Sequence, residues 1–339
     1  MSSRIQRWTP AARIAAVGAL ILAVALAVVP YLFGAGSIDR LTVLFIYVIL
    51  AAMWNALAGF GGLVSVGQQV FFGLGAYFTI RIADAGVDPF LSLPISAIAV
   101  ALVAIPLSMV MLRLKGGEFA IGMWVVSALT HLIVNLDTLI QGETGTSLIS
   151  LNAYDITARR AYIYWAALAA MVILLAALYA LLRGRVGAAI QAIRDDEDAA
   201  ASLGVRVVAT KRMLFVLAAL GAGMAGALWL ATAVTFQPKT YFSVQWTAYM
   251  IFMVLVGGIG TFEGAILGAV IFFLLETWFA ASGVWYLVGL GLVAVLFSLL
   301  APRGIWGGVQ RRWNIQLLPV GYRVVGNSEK SKQEASKES

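Results

Sequence analysis

The chain has 339 residues, of which 62% are hydrophobic and 12% charged, and its formal net charge is +7. A soluble domain of this length is about a quarter charged, so the composition excludes an ordinary soluble domain and indicates an all-α, polytopic helical membrane protein. The sequence contains no cysteine, which excludes disulfides and thiolate metal sites.

Ten apolar segments approach the roughly 20 residues that a helix needs to cross a bilayer. The first is predicted to be an uncleaved span rather than a signal peptide, because it is long and further spans follow. The third and eighth are rich in glycine and are candidates for broken or re-entrant helices. The ten predicted spans are residues 13–33, 40–58, 62–80, 91–112, 119–137, 162–182, 213–234, 245–259, 264–281 and 284–300.

The basic residues predict the orientation of these spans. Of the 23 lysines and arginines, 18 fall in segments that ten spans place on one side, and five fall on the other. Because lysine and arginine concentrate on the cytoplasmic side, we predict that both termini are cytoplasmic. Residues 13–310 would form one transmembrane domain between a cytoplasmic N-terminus, residues 1–12, and a cytoplasmic tail, residues 311–339. The end of the tail has the composition of a disordered segment, and the net positive charge needs no nucleic-acid partner.

Polar residues inside the spans are candidates for a translocation pathway. A glutamine in lipid is costly, so Gln68 and Gln69 should face the protein interior or water. The glycines around them suit close helix packing or a broken helix that lines a pathway. The carboxylate of Glu276 could contact a substrate ammonium group, carry a proton, or form a buried hydrogen bond. The predicted pathway residues are Asn55, Gln68, Gln69 and Glu276.

A polar segment, residues 183–212, interrupts the apolar spans with six basic and four acidic residues. Its alanines predict helix over residues 187–203, with Ile190, Ile193 and Leu203 as apolar contacts. Arg194 and Asp198 are spaced as an i,i+4 ion pair. The acidic cluster at residues 195–198 could divide the helix in two.

Gly204 is placed to end that helix. The simpler interpretation is that the segment is a solvated connector with no binding role. Its length, small residues and mixed charges favour instead a docking element for another protein.

Several motifs in combination resemble those of one transporter family. Residues 184–205, GRVGAAIQAIRDDEDAAASLGV, resemble the cytoplasmic coupling loop of ABC importer permeases, especially the M-type permease for branched-chain amino acids. Three further stretches are similar to the same family: Asn55–Tyr77, Leu114–Ala120 and Val256–Ala269. Gly67-Gln68 stands where many members have Gly-His, and residues 142–147 also depart from the pattern. Urea, short amides or other small solutes therefore stay open as substrates.

The resemblance implies a half-channel in the bacterial inner membrane, surrounded by lipid. Its partners would be a second homologous permease, two cytoplasmic ABC ATPases and a periplasmic substrate-binding protein, which could dock on the outer segment 137–160. No lysine follows a glycine in the sequence, so the chain has no phosphate-binding loop, and ATP would bind only to partner subunits. The residues predicted to couple to the ATPase are Gly187, Ile190, Ile193, Arg194, Asp195, Asp198, Ser202, Leu203 and Gly204.

Two other functional classes remain as alternatives. A stand-alone secondary transporter is not excluded by the ten-span topology, but it leaves the coupling-type segment unexplained. A membrane enzyme is poorly supported by a chain with a single histidine and no clear carboxylate pair in one site.

Overall fold

A computed structural model describes residues 4–6, 10–313, 317–318 and 323–325. Across residues 10–313, nine helical segments are long and apolar enough to cross a membrane. The prediction of a polytopic helical membrane protein is therefore confirmed. The predicted disordered end of the tail, Asn327–Ser339, lies outside the described residues.

The fourteen described helices have the following bounds. They are α1 (Pro10–Leu32), α2 (Ala35–Asn55), α3 (Gln69–Asp84), α4 (Pro89–Met111), α5 (Gly116–Asn135), α6 (Ile156–Arg183), α7 (Arg185–Asp195), α8 (Glu197–Ser202), α9 (Val207–Ala233), α10 (Pro238–Tyr241), α11 (Val244–Gly257), α12 (Phe262–Phe279), α13 (Val284–Leu300) and α14 (Gly304–Trp313). A π-helical turn, Ala56–Phe60, continues α2. Single 3-10 turns are Gly142–Thr144, Ile149–Ala153 and Ala280–Ser282.

Helix α2 lies at the centre of the bundle and packs against α6, α9, α11 and α12. Helices α3, α4 and α9 form a second tightly packed group. Small residues permit this, because helices in lipid associate through close packing rather than through a hydrophobic driving force. At Gly226 of α9, an added Cβ would overlap the carbonyl oxygen of Phe72 in α3. By contrast, few of the described residues of α1 and α13 are fully buried, which suits contact with lipid.

The predicted third span, residues 62–80, is broken. Residues 62–68 have no helical structure, and α3 then begins at Gln69 and has only 16 residues. The indole Nε1 of Trp54 donates a hydrogen bond to the carbonyl oxygen of Ser65 at 2.9 Å, which fixes this non-helical backbone inside the bundle. Irregular backbone at membrane depth is stable only where protein covers it, and Ser65 is fully buried. The glycine-rich composition of this span therefore marked a real break in the helix. The glycine-rich eighth span, residues 245–259, differs: α11 runs without interruption from Val244 to Gly257, so the prediction of a broken helix there is wrong.

Both ends of the described chain lie on the same side of the bundle. Strand β1 (Arg4–Gln6) pairs antiparallel with β4 (Arg323–Val325). A second pair, β2 (Thr146–Ser147) with β3 (Thr235–Phe236), lies between the outer ends of the helices. That the side with both chain ends is the cytoplasmic one stays a prediction, which rests on the distribution of the basic residues. Helix α14 crosses the predicted end of the transmembrane domain at residue 310.

Candidate coupling site and translocation pathway

The first half of the polar segment forms α7, which packs against the end of α6. Gly187, Ile190 and Ile193 are buried and recur every three residues, so they share one face of the helix. The backbone of α6 lies so close to residue 187 that only glycine fits, because a Cβ at this position would overlap the carbonyl oxygen of Leu182. The buried face and this contact hold α7 rigidly on the membrane helix that precedes it.

The chain breaks at Asp196 and starts again as α8. Asp196 has extended backbone angles, and its Oδ1 accepts hydrogen bonds from the backbone N–H groups of Asp198 and Ala199 at 3.0 and 2.9 Å. This is an N-cap, which satisfies donors that the first helical turn leaves free. The prediction that the acidic cluster divides the segment into two helices is confirmed.

Gly204 ends α8, as the sequence predicts. Its φ is +84°, a conformation that favours glycine. The N–H of Gly204 donates to the carbonyl of Ala201 at 2.9 Å, and the N–H of Val205 donates to that of Ala200 at 3.1 Å. These two bonds form a Schellman motif and satisfy carbonyls at the end of the helix.

Two predictions about this segment are wrong. Arg194 does not pair with Asp198, because the break at Asp196 removes the continuous helix that would align them; its Nη2 lies 3.0 Å from Oδ1 of Asp195 instead. Leu203 makes no substantial apolar contact with the described part of the chain, since it is 85% exposed. Ser202 and Asp198 are exposed beside it, and the Ser202 hydroxyl donates to the Asp198 carbonyl oxygen at 2.9 Å.

Arg194 connects α7 to two glycine-rich turns of the membrane domain. Its Nη1 donates to the carbonyl oxygen of Gly59, in the turn after α2, at 3.2 Å. Asn55 ties that turn to the one between α11 and α12: its Oδ1 accepts from the N–H of Gly260 at 2.9 Å, and its Nδ2 donates to the carbonyl of Thr261 at 2.8 Å. Arg194 and Asn55 therefore link α7 to the junction of α2, α11 and α12.

Helix α8 is tied to α9 in a similar way. The Nζ of Lys211 lies 2.7 Å from Oε2 of Glu197, and the lysine side chain is mostly buried. Charge-assisted hydrogen bonds of this length are stronger than neutral ones. The two short helices are thus attached to α6, α2 and α9, while Leu203, Ser202 and Asp198 are exposed among the residues that the structure describes.

Three of the four predicted pathway residues lie inside the helix bundle. Asn55 is engaged at the turn described above. The Thr247 hydroxyl donates to Oε1 of Gln69. Gln68 is fully buried, and neither of its amide atoms has a hydrogen-bond partner in the described part of the chain. All three avoid lipid, as expected of amides in a membrane, and their role as pathway lining stays a prediction.

Glu276 lines a cavity of about 380 Å³ toward the outer ends of α9, α11 and α12. Its Oε1 accepts a hydrogen bond from the Tyr47 hydroxyl at 2.8 Å. Sequence reasoning missed the other members of this site, which come from elements far apart in the chain. The cavity is lined by Tyr47, Trp229, Lys239, Thr240, Ser243, Gln245, Trp246, Tyr249 and Glu276.

The outer segment 137–160 is held by carboxylates. The Tyr77 hydroxyl donates to Oδ2 of Asp137 at 2.6 Å, and this bond lowers the pKa of Asp137 below its usual range. The Tyr154 hydroxyl likewise donates to Asp88 and lowers the pKa of that carboxyl. Both carboxylates stay charged in neutral solution, and docking of another protein on this segment stays a prediction.

Comparison with known proteins identifies the family. Residues 37–300 match the family described as "Branched-chain amino acid transport system / permease component". The chain belongs to this family. It is therefore a permease subunit of an ABC importer, embedded in the inner membrane through multiple spans, and it is a transport component rather than an enzyme.

Two curated relatives carry the same description in more detail. The chain is 27% identical over 317 residues to the "High-affinity branched-chain amino acid transport system permease protein LivM" of Escherichia coli (strain K12), covering 85% of this chain and 73% of that protein. It is 28% identical over 313 residues to the protein of the same name from Salmonella typhimurium (strain LT2), covering 84% and 73%. No solved structure matches the chain. Membership of the family implies that the subunit works within an ABC transporter complex.

Proposed function

We propose that this permease subunit imports branched-chain or closely related amino acids, driven by ATP hydrolysis on other subunits. A second homologous permease would complete the channel, two cytoplasmic ABC ATPases would bind the coupling elements, and a periplasmic binding protein would deliver substrate. The names of the two relatives support the substrate class. ATP would bind only to the ATPases, because this sequence contains no Gly-Lys phosphate loop.

The attachment of α7 and α8 to the membrane helices carries the proposal. Arg194 touches the turn after α2 at Gly59, and Asn55 locks that turn to the one before α12. A solvated connector would need neither the close backbone contact that excludes a side chain at Gly187 nor the ion pair between Glu197 and Lys211 of α9. These contacts favour an element that transmits force.

The mechanism that follows is alternating access. ATP-driven closure of the two ATPases would move the α7–α8 element, whose exposed surface includes Asp198 and Leu203. Because α7 packs on α6 and contacts the turn after α2, which Asn55 links to the turn before α12, the displacement would reach α2, α11 and α12. These helices would then re-pack between outward-open and inward-open arrangements, which differ by discrete contacts.

Transport in proteoliposomes that contain both permeases and both ATPases, with the binding protein added, tests the proposal. We expect uptake of radiolabelled leucine that requires ATP, the binding protein and the ATPases. Urea and acetamide, offered with the same binding protein, should not be taken up. Leucine uptake driven by an ion gradient without ATPases would assign the chain to secondary transport, and ATP-driven uptake of urea or acetamide in place of leucine would replace the substrate class.

A further inference from the structure

The cavity at Glu276 lies within the membrane but toward its outer side. Glu276 is fourteen residues after Phe262, where α12 begins beside the coupling junction. At 1.5 Å per residue this places the carboxylate about 21 Å along the helix, roughly two-thirds of the way across a 30 Å hydrocarbon core. The volume of the cavity, about 380 Å³, falls within the range of small-molecule sites.

The lining of this cavity contains one acidic and one basic side chain, Glu276 and Lys239, that form no ion pair within the described part of the chain. Only one oxygen of Glu276, Oε1, accepts a hydrogen bond from the described residues, and its donor is a neutral hydroxyl, that of Tyr47. The Lys239 ammonium group forms no ion pair with the described part of the chain, although its backbone N–H donates to Glu143 at 3.0 Å. A charge inside a membrane is costly unless it is paired or faces water, so Glu276 is placed for a ligand cation.

Aromatic rings line the same cavity as Glu276 and Lys239. Trp229 stacks on Tyr47 with ring centroids 6.1 Å apart and meets Trp246 edge-to-face at 4.7 Å. Tyr249 packs edge-on against Trp246 at 6.1 Å. Aromatic faces attract ammonium groups and also bury apolar surface. The wall therefore suits both the ammonium group and the branched alkyl side chain of an amino acid.

We propose that this cavity is a binding site for a zwitterionic α-amino acid on its way through the permease. The Glu276 carboxylate and the surrounding rings bind the ammonium group, Lys239 at the mouth binds the carboxylate, and Trp229 and Trp246 contact the aliphatic side chain. The proposal rests on the proposed function and adds a selectivity site within the permease itself. A ligand that lacks one of the two charges would leave one of the two protein groups unpaired; isoamylamine lacks the carboxylate and α-ketoisocaproate lacks the ammonium group.

Binding of leucine to the purified permease pair with its ATPases, without the binding protein, tests the site directly. The variant Glu276→Gln is nearly isosteric and keeps an oxygen to accept the Tyr47 hydrogen bond, so the local packing is retained. We expect it to weaken leucine binding at least about tenfold, which corresponds to about 1.4 kcal/mol. Lys239→Met should weaken leucine binding similarly, and Lys239→Arg should restore it.

The matched control is Glu118→Gln, which makes the same change at an exposed position at the other end of the bundle. It should bind leucine as the unmodified complex does. Isoamylamine should bind more weakly than leucine to the unmodified complex and be insensitive to Lys239→Met. Unchanged leucine binding in both Glu276→Gln and Lys239→Met would overturn the proposal.

Loss of the second permease subunit from the Glu276→Gln complex would assign the cavity to subunit assembly and would also overturn it. These outcomes are separate from failure of the proposed function. If the unmodified complex transports leucine with ATP while both cavity variants bind and transport it normally, the importer function stands and only the site is refuted. If the unmodified complex neither binds nor transports leucine, the proposed substrate class fails first.

Discussion

Replacing Gly187 by alanine should separate the coupling element from the membrane helices without touching any charged residue. The added methyl group would overlap the backbone carbonyl of Leu182, which cannot rotate away as a side chain can. Overpacking of this kind costs about 1–3 kcal/mol, more than the roughly 1 kcal/mol by which alanine improves helix propensity over glycine. Helix α7 must therefore shift away from α6.

The consequence should appear in transport. If coupling requires the packed position of α7, a penalty of about 1–3 kcal/mol lowers its occupancy by up to about 5- to 150-fold. We expect Gly187→Ala to lower ATP-dependent leucine uptake in proteoliposomes by at least fivefold, while ATP hydrolysis falls less, so that more ATP is hydrolysed per leucine imported.

Gly184→Ala is the matched control for this experiment. Gly184 lies three residues earlier, its φ is −78°, and the nearest atom to an added Cβ is 3.4 Å away. The same substitution should leave α7 in its packed position there, because the new methyl group makes only a close van der Waals contact; its cost should be about 1 kcal/mol, since Gly184 is the N-cap of α7 and alanine caps a helix less well than glycine. Equal uptake by the Gly187→Ala and Gly184→Ala complexes would refute the argument that close α6–α7 packing transmits the movement.

Three other predictions follow from individual contacts. Asn55→Ala removes both hydrogen bonds from the α11–α12 turn and should lower the free energy of unfolding in detergent by about 2 kcal/mol; an unchanged value would show that the turns hold without it. Asp196→Ala removes the α8 N-cap, at about 1 kcal/mol, and should speed amide hydrogen exchange in α8, whereas exchange in Asp198→Ala should stay as in the unmodified chain. Tyr77→Phe should return the lowered pKa of Asp137 toward its usual value. In the unmodified chain the Tyr77–Asp137 bond adds stability above about pH 4, and this stability is lost as the pH falls through the lowered pKa. The variant should lack this contribution, and identical acid-unfolding curves for the two chains would contradict the prediction.

The sequence predicted much of the architecture because lipid constrains it strongly. Hydrophobic runs had to become helices, since a bilayer core offers backbone groups no other partners. The break in the third span was visible as clustered glycines around Gln68. The ends of α7 and α8 were also predictable, because Gly204 and the acidic cluster act through local backbone chemistry.

Features that depend on tertiary geometry could not be predicted in this way. The pairing of Arg194 with Asp198 assumed a continuous helix, and the cap at Asp196 removed it. The exposure of Leu203 depends on how α8 is oriented by its ion pair to α9. The cavity at Glu276 gathers side chains from α2, α9, α10, α11 and α12, and no spacing in the sequence indicates that Lys239 and Glu276 share it.

Site-specific photocrosslinking at position 203 tests the central claim most directly. A photoreactive residue in place of Leu203 should form a covalent adduct with an ATPase subunit in an actively transporting complex, because this exposed side chain lies on the proposed coupling surface. The same residue in place of Leu292, an exposed apolar position on α13, should form no ATPase adduct. An active complex without an adduct at position 203, or with equal adducts at both positions, would contradict the assignment of α7 and α8 as the element through which ATP hydrolysis drives this permease.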